Sequence, residues 1–82
     1  MSTESIKLYG TTWCSDCRRA RKVFELQQVD YQYINIEEDA AAAEYVERVN
    51  RGNRSVPTIV FPDGSILVEP SSQALQAKLA ER

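Results

Sequence analysis

The chain's only two cysteines, Cys14 and Cys17, stand in a Cys-x-x-Cys spacing, and two thiols at that distance can carry out thiol–disulfide exchange. In such exchange a thiolate attacks one sulfur of a disulfide, and a second thiol then breaks the mixed disulfide by closing an internal bridge. The chain contains no histidine that could serve as a base. None is required where the attacking thiol is already ionised.

The pair lies in "TTWCSDCRRAR", residues 11–21, between a strand and the start of a helix. Free backbone N–H groups and the helix dipole favour an anion there. Thiols so placed ionise with pKa values of about 3.5 to 7.5, against about 8.5 for a free cysteine. Cys14 is therefore expected to be partly thiolate near neutral pH. Arg18, Arg19, Arg21 and Lys22 push the same way, and Asp16 opposes them weakly because solvent and salt screen it. Cys17, one helical turn inward, can reach Cys14 and is less open to solvent. These positions make Cys14 the attacking sulfur and Cys17 the resolving one. The competing readings are a structural disulfide, half of a metal site, or two packing residues. A closed zinc site needs two further donors, which carboxylates or another chain would have to supply. Trp13 suits a partly exposed wall beside Cys14 better than a core position, whereas Tyr9 belongs to the preceding strand and the core.

The elements that must position these residues emerge from periodicity. "IKLY" ending at Gly10 is a short buried strand. Cys17, Ala20, Val23, Phe24 and Gln27 form an apolar stripe on a helix over about residues 15–28. "YQYINI" alternates as a second strand, and Asp39 caps a helix beginning "AAAAEYVERVN", with Gly52 as its stop. Along it, Glu44, Glu47, Arg48 and Arg51 fall in i, i+4 opposite-charge pairs on a solvated face. "PTIVF" and "SILVE" form a hairpin about Pro62-Asp63-Gly64. Pro70 fits the first turn of a last helix carrying Leu75 and Leu79. The order is βαβαββα. The strand-helix-strand start makes the first two strands parallel, and the hairpin makes the last two antiparallel. The fold is α/β, a four-stranded mixed sheet with helices on both faces.

With 82 residues, residues 1–82 are expected to form a single domain. A net charge of −2 gives no field for holding nucleic acid. "MSTESIKLYG" lacks the basic start and apolar stretch of an export signal, and no apolar run is long enough for a membrane. The expected location is the cytoplasm, where thiols are kept reduced.

Three stretches, "YGTTWCSDC", "NRSVPTIVF" and "DGS", in that order, resemble the glutaredoxin branch of the thioredoxin superfamily. The likeness runs from Ile6 to Leu79. "WC", "AAAAEYVERVNRGNRSVPT", "DGS" and "EPSS" are most similar to its mycoredoxin-like group. The resemblance implies the thioredoxin-like fold and puts Val56 and a cis Pro57 beside the attacking cysteine. The Val56 backbone would then pair with a bound thiol compound as an added strand does. Arg54 matches a basic position that could hold a carboxylate of that compound. Where glutathione-binding members carry a lysine, a tyrosine and a Gly-Gly-acidic run, this chain has Thr11, Asp16 and "VEPSS".

The cysteine pair and the resemblance together imply an enzyme: a thiol-disulfide oxidoreductase acting on protein disulfides, or on mixed disulfides between proteins and a low-molecular-weight thiol. Glutathione or mycothiol is the implied co-substrate, a flavin disulfide reductase the upstream partner, and a monomer the working form. No cofactor is held permanently and no metal is expected. The alternative is a carrier in which two chains share an iron-sulfur cluster or metal through Cys14 and external thiols.

Overall fold

A computed structural model of the chain describes residues 5–81. Positions 1–4, part of the stretch read for an export signal, lie outside the described residues, as does Arg82. Seven elements run in the expected order: β1 (Ile6–Gly10), α1 (Ser15–Leu26), β2 (Tyr31–Asn35), α2 (Ala40–Val49), β3 (Thr58–Val60), β4 (Ile66–Val68) and α3 (Ser72–Leu79). The sheet order is β2-β1-β3-β4. β1 runs parallel to β2, with Gly10 opposite Asn35, and antiparallel to β3, with Tyr9 opposite Thr58. β3 and β4 are antiparallel.

β1 is central, and its pleat sends successive side chains to opposite faces. Leu8 meets Ala20, Val23 and Phe24 of α1 and Leu75 and Leu79 of α3. Tyr9 meets Ala42, Ala43 and Val46 of α2. Two cores therefore sandwich one sheet, α1 and α3 on one face and α2 on the other. Leu8, Phe24 and Ile59 are fully buried, and each such side chain contributes about 1.5–3 kcal/mol.

Helix ends differ from the sequence expectation for identifiable reasons. α1 stops at Leu26 because Gln28 turns left-handed (φ 56°) and the Val29 N–H bonds back to Phe24 O at 2.9 Å. The same closing device ends α2: Arg51 takes φ 57° and the Gly52 N–H returns to Glu47 O at 2.6 Å. Gly52, the expected stop, follows Arg51 with a positive φ of its own, 97°, and supplies the closing N–H. Gln27, expected on the apolar stripe, is exposed at the C-cap of α1. Because Arg51 leaves the helical path, its side chain leaves the i, i+4 row, and Glu47 pairs with Arg54 instead. Pro70 precedes α3 rather than opening it. The cap is Ser71, whose Oγ accepts the Ala74 N–H at 3.0 Å. Asp39 caps α2 as expected, accepting the Ala42 N–H at 3.0 Å. The β3–β4 turn closes through Gly64 N–H to Phe61 O at 2.9 Å, with Gly64 at φ 90°.

Candidate active site

β1 delivers the chain to a three-residue loop, 11–13, and Cys14 then occupies the N-cap of α1 with extended backbone (φ −83°, ψ 118°). Its Sγ accepts the Cys17 N–H at 3.2 Å, as a serine or aspartate oxygen would at this position. The Cys17 N–H is one of the first-turn amides that have no partner within the helix, and the sulfur satisfies it. In thiol form, Cys14 points its hydrogen at Val56 O, 3.7 Å away. Cys14 keeps 9% of its surface exposed and Cys17 none. Burial, together with the hydrogen bond to Cys14, pushes the Cys17 thiol up to about 12, against an opposing backbone bond from Thr11. Cys17 is accordingly a protonated thiol at neutral pH.

The second wall of the site is the loop ahead of β3, and side chains from two elements fix it. Asn50, at the C-cap of α2, donates through Nδ2 to Val46 O at 2.9 Å and to Thr58 Oγ1 at 3.1 Å. The Thr58 hydroxyl in turn donates to Ser55 O at 2.7 Å. Beyond it, the Glu69 N–H bonds to Pro57 O at 2.8 Å. The Val56–Pro57 peptide is cis. Val56 is thereby held against Cys14, two ends of the sequence meeting across 42 positions.

Residues 6–66 match the family model named Glutaredoxin. The chain belongs to the glutaredoxin family. A Mycobacterium tuberculosis protein with a provisional glutaredoxin name is 42% identical over 81 residues, covering 99% of this chain and 96% of that one. Mycoredoxin 1 of Corynebacterium glutamicum is 36% identical over 75 residues, 92% of each chain. Among solved structures, a glutaredoxin from Archaeoglobus fulgidus superimposes with a TM-score of 0.75 at 22% identity, covering 95% of this chain and 88% of that one. That last likeness bears on the fold alone. Membership in the family implies thiol-disulfide oxidoreductase activity.

Against this glutaredoxin frame, four of the six residues singled out in the sequence converge: Cys14, Cys17, Val56 and Pro57. Trp13 stands at the rim, 67% exposed, with its indole Nε1–H donating to Glu37 Oε2 at 2.9 Å. The Arg54 guanidinium is paired with Glu47 of α2 and lines a cleft that also holds Glu37. Three further residues have a place in the site that sequence reasoning did not assign them. Gly10 is one: a Cβ built on it would stand 2.7 Å from Cys17 Sγ, so the resolving sulfur packs into the space of an absent side chain. Its sole sequence signal was a glycine closing a strand. Glu37 and Arg18 are the others. Glu37 sits in the turn after β2, which is tied to β1 by Ile36 N–H to Gly10 O at 3.0 Å. Arg18 folds back to the loop through Nη1 to Thr12 O at 3.4 Å. The buried hydroxyls of Thr11 and Tyr33 have no hydrogen-bond partner. Among the described residues, no three His, Cys, Asp or Glu side chains group to hold a metal ion, and no helix is long and apolar enough to cross a membrane.

Proposed function

We propose that the chain reduces disulfides through a dithiol cycle in which Cys14 attacks and Cys17 resolves. Cys14 thiolate attacks one substrate sulfur, forming a Cys14–substrate disulfide and releasing the other substrate sulfur as a thiol after it takes a proton. Cys17 then attacks Cys14; the internal bridge forms, the mixed disulfide breaks, and the Cys17 proton ends on the departing thiol. The observation that carries this reading is the Cys14 sulfur at the N-cap, accepting the Cys17 N–H at 3.2 Å while retaining solvent contact that Cys17 lacks. Val56 and Pro57 form the backbone surface against which the substrate lies, and Trp13 forms its exposed wall. The seating of Cys17 one turn from Cys14 favours an internal bridge over a cluster shared between chains.

The substrates in this reading are protein disulfides and mixed disulfides between proteins and a low-molecular-weight thiol, glutathione or mycothiol. Electrons reach the oxidised chain from that thiol or from a flavin disulfide reductase, and the working form is a cytoplasmic monomer. The test is electron flow from NADPH through candidate reductases, with and without each thiol, in three proteins. Cys14→Ser is expected to abolish all turnover, and residual activity above a few percent of wild type refutes the assignment. Cys17→Ser is expected to retain release of a low-molecular-weight thiol from a mixed disulfide, because external thiol completes that reaction, and to lose reduction of protein disulfides. Equal loss in both assays contradicts the division of roles.

A further inference from the structure

The basic residues near Cys14 differ in what already occupies them. Arg54 is committed to Glu47 and Arg19 to Asp16. Arg21 donates to the Tyr31 hydroxyl at 3.3 Å and lies over the Tyr33 ring at 4.4 Å. Lys22 is eight residues past Cys14 on α1, two turns or about 12 Å along the axis. Arg18 is different. It lies one turn after Cys14, its own N–H closing the first helical bond to Cys14 O at 3.2 Å. Its exposed side chain then reverses direction, back past the helix start, to the loop that bears Trp13. A guanidinium offers five N–H donors, and here one is engaged, in a long bond to a neutral carbonyl.

Two carboxylates border the same region. Glu37 is held at the indole of Trp13, and Asp16 in the first turn of α1 is paired with Arg19. A substrate with an acidic group near its disulfide is drawn toward the Arg18 guanidinium and repelled by the Glu37 carboxylate. We propose that Arg18 is a substrate-binding residue, holding a carboxylate on the group joined to the sulfur that Cys14 attacks. This rests on the disulfide-reduction reading above and assigns it an orientation: the acidic part of the substrate lies over the start of α1, away from Glu37. A planar guanidinium suits the two oxygens of a carboxylate, and charge-assisted bonds of this kind are the stronger ones.

The experiment compares two small disulfides on the reduced full chain, oxidised glutathione, which carries carboxylates, and 2-hydroxyethyl disulfide, which carries no charge. The rate of attack by Cys14 is followed by acid quench and mass spectrometry as the sum of the Cys14 mixed disulfide and the internal Cys14–Cys17 disulfide that it yields. Arg18→Gln is expected to slow the reaction with oxidised glutathione about three- to tenfold and to leave the hydroxyethyl probe within about twofold. Arg18→Lys is expected to recover part of the loss. The wild-type preference should shrink in 0.5 M salt, where screening acts over about 4 Å. Equal slowing with both probes overturns the proposal, since it marks an effect on the Cys14 sulfur rather than on substrate binding; so does an unchanged glutathione rate. Absence of both the mixed disulfide and the internal Cys14–Cys17 disulfide in the wild type overturns the disulfide-reduction reading and this one with it, whereas normal reaction with an unaltered preference in Arg18→Gln removes only the role of Arg18.

Discussion

Replacing Gly10 with alanine adds one methyl group at the most crowded point behind the cysteines. The new carbon would stand 2.7 Å from Cys17 Sγ, 3.2 Å from Leu8 Cδ2 and 3.3 Å from Cys17 Cβ. A carbon–sulfur approach of 2.7 Å lies far inside van der Waals contact, and Cys17 is fully buried on a helix that packs on both β1 and α3. Overpacking of this kind costs about 1–3 kcal/mol. Alanine restricts the unfolded chain and returns about 0.4–1 kcal/mol of that. The net expectation is a loss of about 1–2 kcal/mol, or roughly 5–15 °C in melting temperature for a domain of this size. Denaturant unfolding of the reduced protein measures it. The decisive control is the same change in a Cys17→Ala background, where the clashing sulfur is gone and Gly10→Ala should cost clearly less, with the contacts to Leu8 Cδ2 and the Cβ at 17 remaining. The difference between the two backgrounds isolates the methyl–sulfur contact. An equal effect in both, or a more stable Gly10→Ala single variant, would show that the glycine is not there to make room for sulfur.

The raised Cys17 thiol sets a pH dependence with a definite sign. Its folded value of about 12 exceeds the unfolded value, so its contribution to stability is complete below about pH 8.5 and is lost as pH rises from there toward 12. Reduced protein should show that loss in urea titrations from about pH 8.5 upward, and in Cys17→Ala the loss should be smaller and begin only near pH 10, where the buried Tyr9 and Tyr33 hydroxyls, also raised, begin to contribute. Thr11→Val and Tyr33→Phe each delete a buried hydroxyl that bonds to nothing, so unfolding midpoints should hold or rise, by up to about 1 kcal/mol; a drop of that size contradicts the assignment. Gln28→Gly and Arg51→Gly relieve left-handed backbone at φ 56° and 57°, and each should raise stability by about 0.5–1 kcal/mol in thermal melts.

Elements whose cause is local were readable from the residues alone. The Asp39 cap, the Gly64 turn and the stripe from Cys17 to Phe24 each depend on neighbours within a few positions, and all three stand where expected. The helix stops were less readable. A left-handed closing residue is normally glycine, so Gly52 drew attention from Arg51, and Gln28 offered no signal at all. Side-chain partners were least readable, because they depend on how distant elements pack. The i, i+4 rule paired Glu47 with Arg51, and it fails once Arg51 departs from the helix. Arg54 then takes that carboxylate through its Nε. Within the site, the Cys-x-x-Cys spacing and the Ser55-Val56-Pro57-Thr58 stretch located both walls. Gly10 read only as a strand end, Arg18 only as one of four basic side chains and Glu37 not at all, because the meaning of each lies in what it faces.

At the end of β1 remote from the sulfurs, Lys78 of α3 donates to Asp63 Oδ2 at 2.9 Å and to Glu81 Oε1 at 3.2 Å, above the Phe61 ring. Bonds from Ser65 and Lys78 hold the Asp63 carboxyl well below the usual range. The β3–β4 turn is thus clasped to the last helix at one pole while the thiols occupy the other. An attachment point introduced at the exposed Pro62 would therefore anchor the molecule by its blunt end, with the Cys14 sulfur turned toward whatever is dissolved around it.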